Sequence, residues 1–581
     1  MNSPWHFGNT TVRNPLRIKR GLSVLYNSPF NGNLTGRDKE ILFADELERN
    51  NVIEIKNKNQ DYSSFGRKWR ACFSQLGFIT HKFSREMNNV PDTVITKLVK
   101  DKKIQLTGYP YEITPNGLRL INATTYQEQQ ECMLRALLAY QIPSIIEPRN
   151  GEQPFIPFIF ILQVLYELRK LENSLGLSKA EMSILQIHRD HNSVDKVVKE
   201  ILCFRESYLA ATGKGAKHKI ERNLLKQIAQ SVGLQTDSMS DYADVNFRYP
   251  RLTGLVSHQG RRLILNENKM PIIELLLENG PSLIKVDDSE KYLLRLWNGA
   301  ELPTDDEIGV RSEINRYVQL LRDTEIKYIP TIPTDASIAD LNMIRYKLEE
   351  QYYECLEKNF AREQSETNKV QEIIAYLKLL NKQTINEEYD LEIDDEPAYL
   401  EWTVWRAFLA IDSLMNEPYE ARRFKIDQDF FPIGCAPGGG PDLIFEFNSY
   451  LLVVEVTLTS SSRQEAAEGE PVRRHIAVEK RKMASVSDKP VYGLFIARSI
   501  DNNTAETFRI GVWYNGDEPD FINVVPITLS QFINIMNRFL NDKFDNTIFR
   551  QMLDSCLIPR NAHAPAWKKE IEKVVTNFCI I

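Results

Sequence analysis

Three carboxylates, Asp442, Glu446 and Glu455, interrupt the apolar run from Asp442 to Leu458. The remaining residues are mostly apolar and β-branched, as in two buried strands joined at Phe447-Asn448-Ser449-Tyr450. A buried, unpartnered carboxylate costs on the order of several kcal/mol, or else it takes up a proton. No Lys or Arg occurs between Pro441 and Ser462, so the compensating charge must come from elsewhere in the fold or from a bound cation. Carboxylates from adjacent strands that share a cation are the chemistry this placement offers.

The surrounding elements are legible. PAYLEWTVWRAFLAIDSL reads as a helix in which Glu401 precedes an apolar face of Trp402, Trp405, Phe408 and Leu409. After the two strands and a polar loop, EPVRRHIAVEKRKMASV reads as a basic helix and KPVYGLFIARSI as a strand. Helix, strand, strand, helix, strand describes a small mixed sheet flanked by helices. Such a sheet holds carboxylates from neighbouring strands within a few ångström of each other.

With 581 residues, 42% hydrophobic and 26% charged, the chain is long enough for three or four domains of about 150 residues. The cysteines are scattered without a Cys-x-x-Cys pair, so neither a zinc site nor a disulfide framework is indicated. MNSPWHFGNT lacks a signal pattern, and apolar stretches such as PFIPFIFILQVLYELRK are too short to span a membrane. The expectation is a cytoplasmic protein without a membrane segment. The net charge of -7 is unevenly spread: residues 1–285 hold 39 Lys+Arg against 29 Asp+Glu, leaving 33 against 50 for the rest. A basic front half suits a polyanion, and an acidic back half suits metal ligands.

In the front half, GRDKEILFADELERNNVI and SFGRKWRACFSQLGFITHKF have helical spacing. KKIQLTGYPYEITPNGLRLINA alternates and turns at Pro115-Asn116-Gly117, like the hairpin of a winged-helix unit. A second such unit follows: a long helix over FIPFIFILQVLYELRK, a break at Gly176-Leu177, and a Ser178 cap with Glu181 three residues on. The basic run GKGAKHKIERNLLKQIAQSVGL then leads to a hairpin turning at Gln259-Gly260. Arg67, Lys68 and Arg70 in the first unit, and Lys214, Lys217, Lys219 and Arg222 in the second, are placed to meet phosphates, as are Arg261 and Arg262 beside the second turn. Val286 to Asp395 reads as charged amphipathic helices, a connector between the halves. The expected domains are 1–150 and 151–285, both suited to DNA recognition, 286–395 as a helical linker, and 396–581, which holds the strand carboxylates.

Pro441-Asp442, a gap of twelve, and Glu455-Val456-Thr457 together resemble the PD-(D/E)XK nuclease pattern. Taken with Leu400-Glu401-Trp402-Thr403-Val404-Trp405 and Glu468-Gly469-Glu470-Pro471-Val472-Arg473-Arg474-His475, the wording resembles the AlwI family of Type IIS restriction endonucleases and the related BstNBI-like nicking enzymes. The resemblance implies a multidomain α+β chain: a mostly helical, winged-helix-like recognition half, a helical linker and a C-terminal α/β nuclease domain. It also implies a catalytic set of Glu401, Asp442, Glu455 and Glu468, with Asp442, Glu455 and Glu401 as ligands to one or two Mg2+ ions, and Glu446 as structural. The Lys usual two residues after the second carboxylate is Thr457 here, as in the AlwI-like pattern. Glu468, His475 and Lys480 are the candidates for its role.

The implied activity is cleavage of double-stranded DNA a few base pairs outside a short asymmetric site, GGATC being preferred over GAGTC. A transient homodimer or a small catalytic partner subunit would cut the second strand. The alternatives are a strand-specific nicking enzyme, the large subunit of a heterodimeric restriction enzyme, and, in another class, a non-catalytic DNA-binding specificity subunit.

Overall fold

The computed structural model describes residues 4–55, 57–81, 110–149, 152–171, 176–259, 261–322, 324, 330–333, 335–385, 391–411, 413–460 and 463–580. The chain forms a mostly helical α+β protein of two compact units, Met1–Glu349 and Glu350–Ile581. Each has its own apolar core. The helices between Val286 and Asp395 are shared between the two units, and the division falls within a single 26-residue helix, Ile338–Glu363.

The first unit contains α1 (Ile18–Tyr26), α2 (Arg37–Arg49), α3 (Ser63–Gln75), α4 (Pro115–Asn122), α5 (Tyr126–Ala139) and α6 (Pro157–Arg169). A short strand, β1 (Leu177–Ser178), precedes α7 (Lys179–Leu185), α8 (Val194–Ala210), α9 (Lys214–Ser231) and α10 (Thr236–Arg248). The hairpin β2 (Val256–Gln259) and β3 (Arg262–Leu265) follows, with β3 at the centre of an antiparallel β1-β3-β2 sheet. Next come α11 (Met270–Asn279), α12 (Ser289–Asn298), α13 (Glu307–Arg322) and α14 (Ile338–Glu363).

Ser178 caps α7 as its spacing predicts: its hydroxyl accepts from the Glu181 amide at 3.2 Å, and Glu181 accepts from the Ser178 amide at 2.8 Å. Glu181 is fully buried and also takes Arg205 at 2.8 Å and Arg262 at 3.0 Å. One capping carboxylate thus ties α7, α8 and β3 together.

The expected first hairpin is not what forms at its turn. Pro115-Asn116-Gly117 is the first turn of α4, because Thr114 accepts the Gly117 amide at 3.1 Å and Pro115 takes a helical position that needs no amide donor. A β-carbon at Gly117 would collide with the Phe78 carbonyl, so this glycine serves close packing. The upstream part of that expected hairpin, 102–109, lies outside the described residues.

The second unit starts within α14 and continues with α15 (Thr367–Leu380), α16 (Glu396–Ala410), α17 (Pro418–Ala421), β4 (Leu443–Glu446) and β5 (Leu451–Thr457). One π-helical turn, Glu465–Gly469, runs into α18 (Glu470–Ala484). Then follow β6 (Val491–Ala497), α19 (Asn502–Ile510), the hairpin β7 (Val512–Asn515) and β8 (Glu518–Phe521), β9 (Asn523–Thr528), α20 (Leu529–Asn541), α21 (Asn546–Leu557) and α22 (Ala564–Ile580). The main sheet has the order β4-β5-β6-β9; β4 is antiparallel to β5, and the other pairs are parallel. Every residue of β6 is buried, as expected of an inner parallel strand covered on both faces. Apart from the short α17, the helix, strand, strand, helix, strand order read from the sequence is the order observed.

Candidate active site

Register places the first two acids. Leu443 pairs with Val454 in the antiparallel β4–β5 ladder, so Asp442 stands across from Glu455 at the end of β4. The Asp442 Oδ2 accepts the Val456 amide at 2.9 Å, which locks the carboxylate against β5. Glu446, at the other end of β4, is held by Lys489 at 2.6 Å and belongs to the scaffold.

Glu401 comes from α16, whose position is fixed by aromatic packing and buried polar bonds. The Trp402 indole donates to the Phe430 carbonyl at 2.6 Å and that of Trp405 to the Pro418 carbonyl at 3.1 Å. Arg406 stacks on Trp402 while donating to Gln364 and Glu372. The loop held in this way presents the Ala436 amide to Glu401 Oε2 at 2.7 Å.

Glu468 is supplied by the π-helical turn, which inserts an extra residue per turn relative to an α-helix. Gln464, fully buried, donates to the carbonyls of Thr459 and Ser499 at 2.8 and 2.9 Å. Thr507 donates to Glu465 at 2.8 Å, and Gly469 leaves room for the Glu465 carboxylate, which a β-carbon there would overlap. Held in this way, Glu468 lies close enough to the Thr457 hydroxyl for that group to favour its ionised form.

The electrostatics set Glu401, Asp442 and Glu455 against neighbouring acids, Glu468 among them. Burial, then Asp442, raises Glu401 to about 8. Burial, then Glu468 and Glu401, raises Glu455 to about 8. Asp442 is raised well above the usual carboxylate range by burial and Glu455, and Glu468 is raised by burial. One cation opposes this: Arg423 donates to the Pro441 carbonyl at 3.1 Å, and its charge favours the ionised forms of Asp442 and Glu455. It does not balance the set, since all four remain raised. No spacing in the sequence marks Arg423. Its neighbour Arg422 looks alike but forms a bidentate pair with Glu357 at 2.7 Å. Cys435, whose thiol lies beside Glu401 and favours its ionised form, is a second neighbour that the sequence does not reveal.

His475, on α18, contacts Glu455 Oε1 through Nδ1 at 2.6 Å. Burial and the nearby Arg474 and Arg423 hold the imidazole below its ordinary pKa, while Glu455 is raised. Near neutral pH the contact is therefore a hydrogen bond between two neutral groups rather than an ion pair. Lys480 is elsewhere, its ammonium bonded to Asp520 and to the Phe521 carbonyl, each at 2.6 Å. Of the three candidates for the missing lysine's role, Glu468 and His475 meet the cluster, and Lys480 serves the β7–β8 hairpin.

Among the described residues, no three His, Cys, Asp or Glu side chains stand in an arrangement ready to hold a metal ion. The donor chemistry nevertheless fits a hard divalent cation, because the side chains are oxygen donors and their mutual repulsion is what such an ion relieves.

The basic residues of the first unit divide into two kinds. Arg67, Lys219, Arg222 and Arg261 are exposed, and Lys68 and Lys217 are half-buried. Arg70, by contrast, is turned inward, bonded to Glu40 at 2.6 Å and to the Leu34 carbonyl and stacked on Tyr111. Arg262 likewise spends its guanidinium on Glu181 and the Gly176 carbonyl. Both spend their guanidinium on intramolecular partners, unlike the exposed Arg67, Lys219, Arg222 and Arg261. The side chain of Lys214 lies outside the description.

Sequence comparison over residues 74–535 makes the chain a restriction endonuclease, and hence a site-specific deoxyribonuclease that acts on DNA. It belongs to the AlwI restriction endonuclease family, whose profile matches that span. The chain is also similar to the solved small subunit (R.BspD6I2) of the heterodimeric restriction endonuclease R.BspD6I, at 26% identity over 36% of this chain and 98% of that one, with a TM-score of 0.28. No curated protein matches by sequence. No described helix is long and apolar enough to cross a membrane.

Proposed function

We propose that the protein is a Mg2+-dependent Type IIS endonuclease. It binds a short asymmetric duplex site through winged-helix-like subdomains, residues 1–150 and 151–285. A helical connector, residues 286–395, joins them to a PD-(D/E)XK-like cleavage domain, residues 396–581, in a prokaryotic cytoplasm. The observation that carries this reading is the convergence of Glu401, Asp442, Glu455 and Glu468 in one buried cluster, where neighbouring acids push up Glu401, Asp442 and Glu455 and the Arg423 guanidinium offsets this in part at Asp442 and Glu455. A scaffold would gain nothing from that repulsion.

Asp442, Glu455 and Glu401 would hold one or two Mg2+ ions, which lower the pKa of an attacking water and offset the charge that develops on the phosphodiester. The chain's own groups set the geometry. The Val456 amide orients Asp442, the Ala436 amide orients Glu401, and His475 orients Glu455. Thr457, where the superfamily pattern has a lysine, favours the ionised form of Glu468.

An asymmetric site offers no two-fold axis, so one recognition half delivers one acidic cluster to one strand. The second strand then needs another catalytic unit, supplied by a transient homodimer or a small partner subunit; without one the enzyme nicks. The test is digestion of a mapped supercoiled plasmid with Mg2+ at several protein concentrations, followed by run-off sequencing of both strands. The expected product is cut at a fixed offset from one short sequence, with open circle preceding linear DNA. Site-specific binding without any strand break would instead identify a non-catalytic specificity subunit.

A further inference from the structure

In helix-turn-helix readers the second helix of the pair lies in the major groove, and here the helix in front of the β2–β3 hairpin is α10. That helix is poorly suited to DNA. Asp237 is exposed in its first turn, Asp241 is paired with Arg13, Tyr242 stacks on His6, and Asp244 is held by Lys179. What it leaves for a duplex is acidic or already covered.

The preceding helix, α9, has the opposite character. Glu221 is its only acidic residue. At about 100° per residue, six of its exposed positions, Lys219, Arg222, Asn223, Lys226, Gln227 and Gln230, fall on one arc of roughly 140°, with the exposed His218 and Ser231 just outside its two edges. Within that arc the side chains sort by type. Arg222, Lys226 and Lys219 form one edge, and Gln230, Asn223 and Gln227 form the other. Among the described residues, none of these six side chains forms a hydrogen bond or ion pair within the protein. Ile228 and Ala229, with half-buried Leu224 and Leu225, anchor the helix from the far side.

We infer that this arc of α9 enters the major groove of the target duplex, with Asn223, Gln227 and Gln230 at the base edges and Arg222, Lys226 and Lys219 along the phosphates. The inference rests on the reading of this unit as the DNA-binding one and adds which helix does the reading. A major groove about 12 Å wide admits a helix, and Asn and Gln carboxamides pair bidentately with adenine N7 and N6. The amide edge therefore selects A·T pairs, while the basic edge supplies affinity without selection.

The experiment uses the full-length protein and a plasmid library with randomised sites, and reads cleavage preference by sequencing the ends. N223A, Q227A and Q230A are compared with K226A and with D237A on α10, after melting curves confirm that each is folded. At least one amide variant is expected to lose discrimination at a single A·T pair by about 5- to 150-fold while cutting the original site. K226A is expected to weaken binding to all sequences alike and to reduce the salt-dependence slope by about 0.9. Unchanged preference in all three folded amide variants would overturn the inference, as would altered preference in D237A alone. If the wild-type protein neither cuts nor binds any library member, the nuclease reading falls and this inference falls with it. Site-specific cleavage by wild type, with indifferent α9 variants, refutes only the assignment of the helix.

Discussion

Replacing Glu455 by Gln should stabilise the metal-free protein while abolishing cleavage. Glu455 is raised from 4.5 to about 8 by burial and by Glu468 and Glu401. Between those two values the unfolded chain has released the proton and the folded chain retains it. Stability therefore falls as pH rises through that window, at about 1.4 kcal/mol per pH unit. At pH 7 the accumulated penalty is on the order of 3 kcal/mol, and at pH 5 it is under about 1 kcal/mol. Gln carries no charge but can still accept a hydrogen bond from His475, whose Nδ1 lies 2.6 Å from Glu455, so E455Q should escape the penalty. For a unit the size of Glu350–Ile581, each kcal/mol moves Tm by about 2–4 °C, predicting a gain of about 6–12 °C at pH 7 in chelator. The assay is scanning calorimetry of both proteins at pH 5 and pH 7, with EDTA and then with Mg2+. Wild type should gain more from Mg2+ than the variant, because only wild type has the full charge for the ion to neutralise. A metal-free E455Q that melts at or below wild type at pH 7 would refute the claim that these acids are held against one another.

Three further outcomes follow from the same geometry. D442A should lose cleavage and keep sequence-specific binding in a gel shift, with Ca2+ in place of Mg2+ likewise supporting binding without brisk cleavage; equal losses of binding and cutting would contradict the separation. K480A should cut at close to the wild-type rate in a plasmid time course, since Lys480 is committed to Asp520 and Phe521, and a collapse in rate would bring it back into the site. In the first unit, Glu131 is depressed to about 2: Arg345 and Arg135 outweigh its burial. Its stabilisation is complete above the unfolded value near 4.5 and is lost as pH falls from there toward 2, so E131Q should flatten the acid side of the urea-unfolding profile.

Local signals in the sequence were the dependable ones. The cap at Ser178 with Glu181, the turn at Phe447–Tyr450 and the order of elements around the acids depend on neighbours within a few residues, and the structure has them as read. Pro115-Asn116-Gly117 misled because the same three residues suit a turn or a capped helix start, and the choice was made by Thr114 and by packing on Phe78, far upstream in sequence. Arg70 and Arg262 lay within basic-looking runs, yet their partners Glu40 and Glu181 lie 30 and 81 residues away. Arg422 and Arg423 are adjacent and chemically identical. Only the tertiary fold sends one to Glu357 and the other to the acidic cluster. Charge partners set at long range leave no periodic trace, and that is why the acids could be found and their cation could not.

The π-helical turn at Glu465–Gly469 has a consequence for inheritance. A host carrying a nuclease benefits from any cheap route to disarming it, and a turn one residue wider than an α-helix is such a route. Loss of a single codon there would let the segment relax into continuous α-helix with α18 and swing Glu468 by about 100° around the axis. The sheet, the cores and the recognition unit would be left as they are. Among spontaneous survivors of unprotected expression, in-frame single-codon deletions at 465–469 should recur and should yield folded protein that binds its site without cutting. Survivors carrying only frameshifts and core lesions would show that this turn is no such weak point.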